Sequence, residues 1–278
     1  MDSLVTTEWL AKELGANDLR IVDASYFLDA RDARAEFEAG HIPGAVFMDL
    51  GELSDTGSSL PNTVPSAEKF ASRMQAIGLG DGSRIVVYDN SPLRSSARAW
   101  WLLNLFGAHE VAILDGGLAK WKAEGRAMES GKPVVRHRHF TVWRDKAQVR
   151  DLAQMKDNLK TKAEQVVDAR GAARFRGEEP ESRPGVRPGH IPGSFNLPYT
   201  ELFNEDGTYK QGEALRGAFR DVGVDPDQPV VTTCGSGVTA AVLSFGLHLL
   251  GAGKTALYDG SWAEWGGEAD TPVVTGAA

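Results

Sequence analysis

The chain has 278 residues, 42% hydrophobic and 24% charged, a balance with ample material for a core and room for one large domain or two of ordinary size. Its net charge of −8 argues against sequence-independent nucleic-acid binding, and no stretch approaches the ~20 apolar residues that a membrane-spanning helix needs. Cys234 is the only cysteine, which excludes an intramolecular disulfide, fits a reducing compartment and leaves no resolving thiol within the chain.

Met1 to Leu10 carries Asp2 and Glu8 and has neither a secretory apolar core nor an Arg-rich transit pattern, so a soluble, cytoplasmic protein is expected. Leu19 to Ala24 reads as a buried strand ending at an acidic residue, and Arg31 to Ala39 as a helix. Gly40-His41-Ile42-Pro43-Gly44-Ala45 is a turn-rich hexapeptide. Pro65 to Ile77 reads as an amphipathic helix, Arg84 to Asp89 as a strand and Ala97 to Phe106 as a helix carrying Trp100 and Trp101. Val111 to Leu114 is a further strand, running into Asp115-Gly116-Gly117 and a short helix with Trp121. Strands alternating with helices predict a mostly parallel α/β sheet.

The same order then returns. Gln165-Val166-Val167-Asp168-Ala169 matches Arg20 to Ala24, Gly189-His190-Ile191-Pro192-Gly193-Ser194 matches the hexapeptide, and Tyr258-Asp259-Gly260-Ser261-Trp262 matches Leu114 to Leu118. The offsets are 145 for Asp23 and Asp168, 149 for His41 and His190, and 144 for Trp121 and Trp265, a drift of the size that loops absorb. This is an internal duplication. It predicts one α/β domain over 1–132, a linker over 133–150 and a second domain over 151–278. The linker holds Arg136-His137-Arg138-His139, a short basic cluster that reads as solvated linker rather than a nucleic-acid patch in so acidic a chain.

At offset 144, Asn90 stands opposite Cys234. The second copy runs from an apolar strand, Pro229 to Thr233, through Cys234-Gly235-Ser236-Gly237-Val238-Thr239 into an apolar helix; the first copy has an amide and a proline in that loop. A lone cysteine is often a small buried hydrophobe, but one that opens a Gly-containing loop at a helix N-terminus meets backbone N–H dipoles that stabilise a thiolate. Cys234 is therefore the expected nucleophile, and only the second half can carry thiol chemistry. The tryptophans recur at matching places and read as core.

The tandem halves, the two His-Ile-Pro-Gly segments, the Asp-Gly-Gly and Asp-Gly-Ser turns and the Cys-Gly-Ser-Gly-Val-Thr loop resemble the two-domain rhodanese-type sulfurtransferases over nearly the whole chain. The resemblance implies two rhodanese-like α/β domains in tandem, sulfur transfer through a Cys234 persulfide, and no cofactor or metal. The loop is more similar to the 3-mercaptopyruvate branch than to the thiosulfate branch, in which Arg and Lys typically follow the cysteine where this chain has Gly235 and Ser236. Thiosulfate is a dianion that cationic neighbours would hold, whereas a mercapto acid needs less charge beside the thiol and can be gripped by an arginine fork elsewhere.

By the same resemblance, Arg174 and Arg183 bind the substrate, with Arg176 less favoured. Gly235, Gly237, Val238 and Thr239 cradle it. Ser236 relays a proton with His41 and Asp32 as its histidine and carboxylate. His190 is expected only to pin its turn, a reading open to His41 as well, and Arg98 is open to either a cleft or an ion-pair role. The expected partners are 3-mercaptopyruvate as donor and thioredoxin, a small thiol or cyanide as acceptor, with no nucleic acid or membrane and a monomeric chain. Thiosulfate:cyanide sulfur transfer and a non-enzymatic sulfur-carrier or interaction module are the alternatives. Phosphate-ester or arsenate chemistry on a Cys-x5-Arg loop is disfavoured because Ala240 stands where the arginine would be.

Overall fold

The computed structural model describes residues 1–277. The chain divides into two compact units: Met1–Thr56, Val64–Asp145 and Asn204–Tyr209 form the first, and Gly57–Thr63, Lys146–Phe203 and Lys210–Ala278 the second.

In the first unit the strands are β1 (Leu4–Val5), β2 (Leu19–Asp23), β3 (Ala45–Phe47), β4 (Arg84–Tyr88) and β5 (Val111–Leu114), joined by helices α1 (Thr7–Glu13), α2 (Ala33–Ala39), α3 (Leu50–Leu53), α4 (Ala67–Ala76), α5 (Ser96–Leu105) and α6 (Gly117–Ala123). They form a five-stranded sheet in the order β1-β5-β4-β2-β3, every pair parallel. The second unit repeats it: β6 (Val149–Arg150), β7 (Gln165–Asp168), β8 (Phe195–Asn196), β9 (Val230–Thr233) and β10 (Thr255–Tyr258) lie in the order β6-β10-β9-β7-β8, again all parallel. Its helices are α7 (Leu152–Thr161), α8 (Ala172–Arg176), α9 (Gly212–Arg220), α10 (Ala240–Leu249) and α11 (Ser261–Trp265).

The central strands are buried almost throughout because helices cover both faces of a parallel sheet; β5 and β9 are buried at every residue. The sequence shows these strands plainly. The edge strands β1, β3, β6 and β8 are two or three residues long, too short to display a periodicity, and short edges limit unwanted pairing. Helix starts follow capping chemistry: Ser66 accepts from Lys69 N at the head of α4, and Asp151 with Gln154 closes a capping box on α7. No helix among the described residues is long and apolar enough to cross a membrane.

The segment after α6 packs on the first unit. Phe140 is buried against Phe70, Thr141 binds the Asp81 carboxylate, and Trp143 N donates to Phe106 O at 3.1 Å. Arg136, His137, Arg138 and His139 are all exposed, as solvated groups are.

The twin strands β2 and β7 end in Asp23 and Asp168 in different company. Asp168 binds the Arg170 guanidinium at 2.7 Å, with both side chains 1% exposed. Ser25 occupies the corresponding place, and Asp23 accepts from Ser25 N at 2.8 Å. Burial pushes the Asp23 carboxyl up to about 6, against hydrogen bonds from Ser25 and Tyr88 that pull it down. Folded Asp23 thus holds its proton more tightly than the unfolded chain. Its stabilising contribution is complete below about pH 4 and is lost as pH rises through 6. Asp23→Asn removes this dependence, so the variant should gain on wild type by something on the order of 3 kcal/mol between about pH 4 and pH 8 in denaturant unfolding. A stability difference that does not vary with pH would contradict the assignment.

Candidate active site

Strand β9 delivers Cys234 to the head of α10, a ten-residue helix buried along most of its length. Cys234 is 1% exposed; Gly235, Ser236 and Thr239 are half-buried and form the rim of the loop. Gly237 N donates to Cys234 Sγ at 3.1 Å, and Gly237 can turn its N–H back on the sulfur because its φ of 82° lies in the left-handed region, where a side chain is costly. The helix dipole adds positive potential on the same side. The loop is therefore built to stabilise an anion on sulfur.

The Asp-Gly-Ser-Trp turn fixes the loop from below. Trp262 N donates to Cys234 O at 2.9 Å, Ala263 N to Gly235 O at 3.0 Å, and Cys234 N to Ser261 Oγ at 3.4 Å. Ser261 is fully buried with φ 50°, a conformation unusual for a non-glycine residue, and its hydroxyl in turn donates to Tyr258 O at 2.9 Å. The first unit has Gly117 at the corresponding place, with φ 58°.

Of the expected arginines, Arg174 reaches the loop. A Cβ on Gly235 would lie 3.3 Å from Arg174 Nη2, so the guanidinium rests against Gly235 and a larger residue there would press on it. Glu181 holds Arg174 at 2.5 Å and Arg170 at 2.8 Å, while Arg170 also binds Asp168, donates to Gly189 O at 2.7 Å and lies 4.5 Å from the Trp262 ring centre. The resulting chain, Asp168–Arg170–Glu181–Arg174, is buried except at Arg174, whose side chain is 36% exposed. Arg174 is thus the one partly exposed member of an otherwise buried ion-pair chain, tied to it through Glu181. Arg183 lies half-buried in the turn before His190, its carbonyl accepting from Val186 N at 3.3 Å. Arg176 pairs with Glu178 on the surface at 2.7 Å.

His41 and Asp32 belong to the first unit. Asp32 caps α2, accepting from Ala35 N at 3.0 Å. His41 stacks on Phe37 with ring centres 4.0 Å apart and places Nδ1 2.7 Å from Phe37 O; its Nε2 is buried with no hydrogen-bond partner among the described residues. His190 repeats the arrangement on Phe175, at 3.7 Å and 2.8 Å. Both histidines pin their hexapeptides in the same way. Arg98 is buried in the first unit with its guanidinium 4.5 Å from the Trp101 ring centre.

In the first unit, the twin place borders a cavity of about 410 Å³ lined by Asp23, Ser25, Glu36, Asn90 and Lys122 among others. Asn90 N donates to Ser25 Oγ at 2.8 Å, and no sulfur nucleophile is present there. Among the described residues, no group of three or more His, Cys, Asp or Glu side chains is placed to hold a metal ion.

Sequence reasoning missed Arg170, Glu181, Ser261 and Asn62, whose amide binds Ser236. A signal existed for Arg170, a cation directly following the buried strand end at Asp168. Glu181 gave none that separates it from the neighbouring surface acids Glu178 and Glu179.

A cysteine at a strand end, cradled at a helix N-terminus in one of two parallel α/β repeats, defines a class that comparison with known proteins identifies. The Rhodanese-like domain family matches residues 6–124 and 151–268. The chain is 42% identical to 3-mercaptopyruvate sulfurtransferase of Homo sapiens over 271 residues, 95% of this chain and 91% of that protein. It is 41% identical to 3-mercaptopyruvate sulfurtransferase of Escherichia coli K12 over 272 residues, 97% and 96% of the two chains. The crystal structure of SseA from Escherichia coli, described with the rhodanese fold and mechanism of 3-mercaptopyruvate sulfotransferases, superposes with a TM-score of 0.87 at 38% identity, covering 94% of this chain and 99% of that one. The chain belongs to the rhodanese-like family, with two copies of the domain in tandem, as the duplication predicts.

Proposed function

We propose that the chain is a sulfurtransferase that takes sulfur from 3-mercaptopyruvate onto Cys234 and passes it to a thiol or cyanide. The observation that carries this reading is the Cys234 sulfur, held by Gly237 N–H at the head of α10 in a loop whose side chains bear no charge. Such a loop stabilises a single negative charge on sulfur, as thiolate and then as persulfide.

In the first half-reaction the Cys234 thiolate attacks the donor sulfur. The donor's C–S bond breaks, its electron pair passes to the pyruvate enolate, and a proton from solvent completes pyruvate. The outer sulfur stays on Cys234 until an acceptor thiolate or cyanide attacks it and returns the thiolate. Arg174 is the group that binds the donor carboxylate, its fork held by Glu181. Arg183 is retained as a second donor-binding residue on the strength of its motif. Ser236 contacts the donor from the loop rim, with Gly235, Val238 and Thr239 shaping the cradle. His41 and Asp32 are accounted for by the local contacts of their hexapeptide and helix cap. A cytoplasmic monomer using thioredoxin or a small thiol completes the reading, supported by the single cysteine and the charge balance.

Thiosulfate remains the second reading, because Arg174 would attract that anion too. With a common acceptor, kcat/KM should favour 3-mercaptopyruvate over thiosulfate by at least about tenfold, the weight of one charge-assisted contact. A preference for thiosulfate would overturn the donor assignment.

A further inference from the structure

Ser236 has a partner from a distant part of the chain. Asn62 Nδ2 donates to Ser236 Oγ at 3.0 Å across 174 residues of sequence, in the short segment Gly57–Thr63 that folds with the second unit. Asn62 has φ 56°, in the left-handed region that asparagine enters more readily than most residues. Residue type and backbone therefore agree, and the amide is presented to the serine from a fixed turn.

The chemistry of this pair differs from that of a serine beside a base. An amide takes up no proton at neutral pH. With an N–H on its oxygen, the serine hydroxyl keeps its own proton free for another acceptor and is polarised toward giving it in a hydrogen bond. We propose that Asn62 is a positioning residue that holds Ser236 as a hydrogen-bond donor to the carbonyl oxygen of a 2-oxo thiol acid, and so selects donors of that class. This rests on the sulfurtransferase reading above.

In the assisted step the Cys234–sulfur bond forms as the donor C–S bond breaks. The electron pair moves through the α-carbon onto the carbonyl oxygen, where the Ser236 O–H meets the growing charge. Solvent protonates the enolate carbon. Ser236 keeps its proton throughout, and no base is required beside it. Thiosulfate has no carbonyl to receive that hydrogen bond, so the Asn62–Ser236 pair has less to act on.

The test is the single-turnover rate of Cys234 persulfide formation, followed by intact mass with 3-mercaptopyruvate and with thiosulfate, together with steady-state kcat/KM. Asn62→Gly keeps the backbone conformation and removes the amide. It should slow 3-mercaptopyruvate about tenfold, the worth of one hydrogen bond, and thiosulfate less than about twofold. Asn62→Asp tolerates the same turn but puts an acceptor where the donor stood, and should be at least as damaging. Asn62→His, which can also enter that backbone region and donate, should recover most of the rate. Equal slowing of both donors, an unchanged 3-mercaptopyruvate rate in Asn62→Gly, or His behaving as Gly would overturn the assignment of Asn62 alone. Wild-type protein that forms no persulfide from either donor would overturn the sulfurtransferase reading and this inference together.

Discussion

Cys234→Ser is expected to bring sulfur transfer down to assay background while leaving the protein folded. Cys234 is the only thiol in the chain, and a hydroxyl in its place can neither ionise near neutral pH nor carry a persulfide. The change is otherwise mild. A serine oxygen can still accept from Gly237 N–H, and the backbone bonds from Trp262 and Ala263 do not involve the side chain. Stability should therefore stay within about 1 kcal/mol of wild type by denaturant unfolding. Activity that survives in the variant would move the chemistry away from this loop. Loss of activity together with loss of fold would leave the cysteine a packing role instead.

Arg170→Met is the substitution with the largest expected effect on the fold of the second unit. It leaves Asp168 buried with no cation and deprives Glu181 of one of its two, and an uncompensated buried charge typically costs about 3–5 kcal/mol. The methionine stem would still cover Trp262, so lost packing contributes little. The first unit shows that the fold itself does not require this network, since Ser25 stands where Arg170 does and the strand ends in a carboxylate all the same. The network is better understood as the mounting for Arg174. The variant should accordingly show both a lowered denaturation midpoint and a raised KM for the donor. A loss of less than about 1 kcal/mol with KM unchanged would contradict both parts.

The duplication made much of the architecture legible. Asp23 with Asp168, His41 with His190 and Trp121 with Trp265 each mark one place in the fold twice, and Asn90 in the thiol's place leaves the second copy as the one expected to carry thiol chemistry. Cys234 was legible because a strand, a Gly-x-Gly turn and an apolar helix are local features with local signatures. What stayed hidden depends on contacts between distant residues. Asn62 lies in the first half of the sequence yet folds with the second unit, and nothing in Pro61-Asn62-Thr63 announces a tie to Ser236. Residues Asn204–Tyr209 make the opposite exchange, Tyr209 N donating to the Asp115 carboxylate at 2.8 Å within the first unit. Glu181 reads as one more surface acid until the guanidinium groups of Arg170 and Arg174 are seen to converge on it. His41 and Asp32, the relay partners that the resemblance implies for Ser236, also make local contacts, His41 with Phe37 O and Asp32 with Ala35 N.

Transfer of sulfur from 3-mercaptopyruvate to Cys234 is the step on which the proposed activity depends. Its most direct measurement is intact mass of the protein after treatment with 3-mercaptopyruvate in the absence of acceptor, with pyruvate assayed in the same tube. One added sulfur atom per chain, confined to the peptide containing Cys234 and matched mole for mole by pyruvate, is the predicted result. Pyruvate without sulfur on Cys234, or sulfur bound equally by Cys234→Ser, would contradict it.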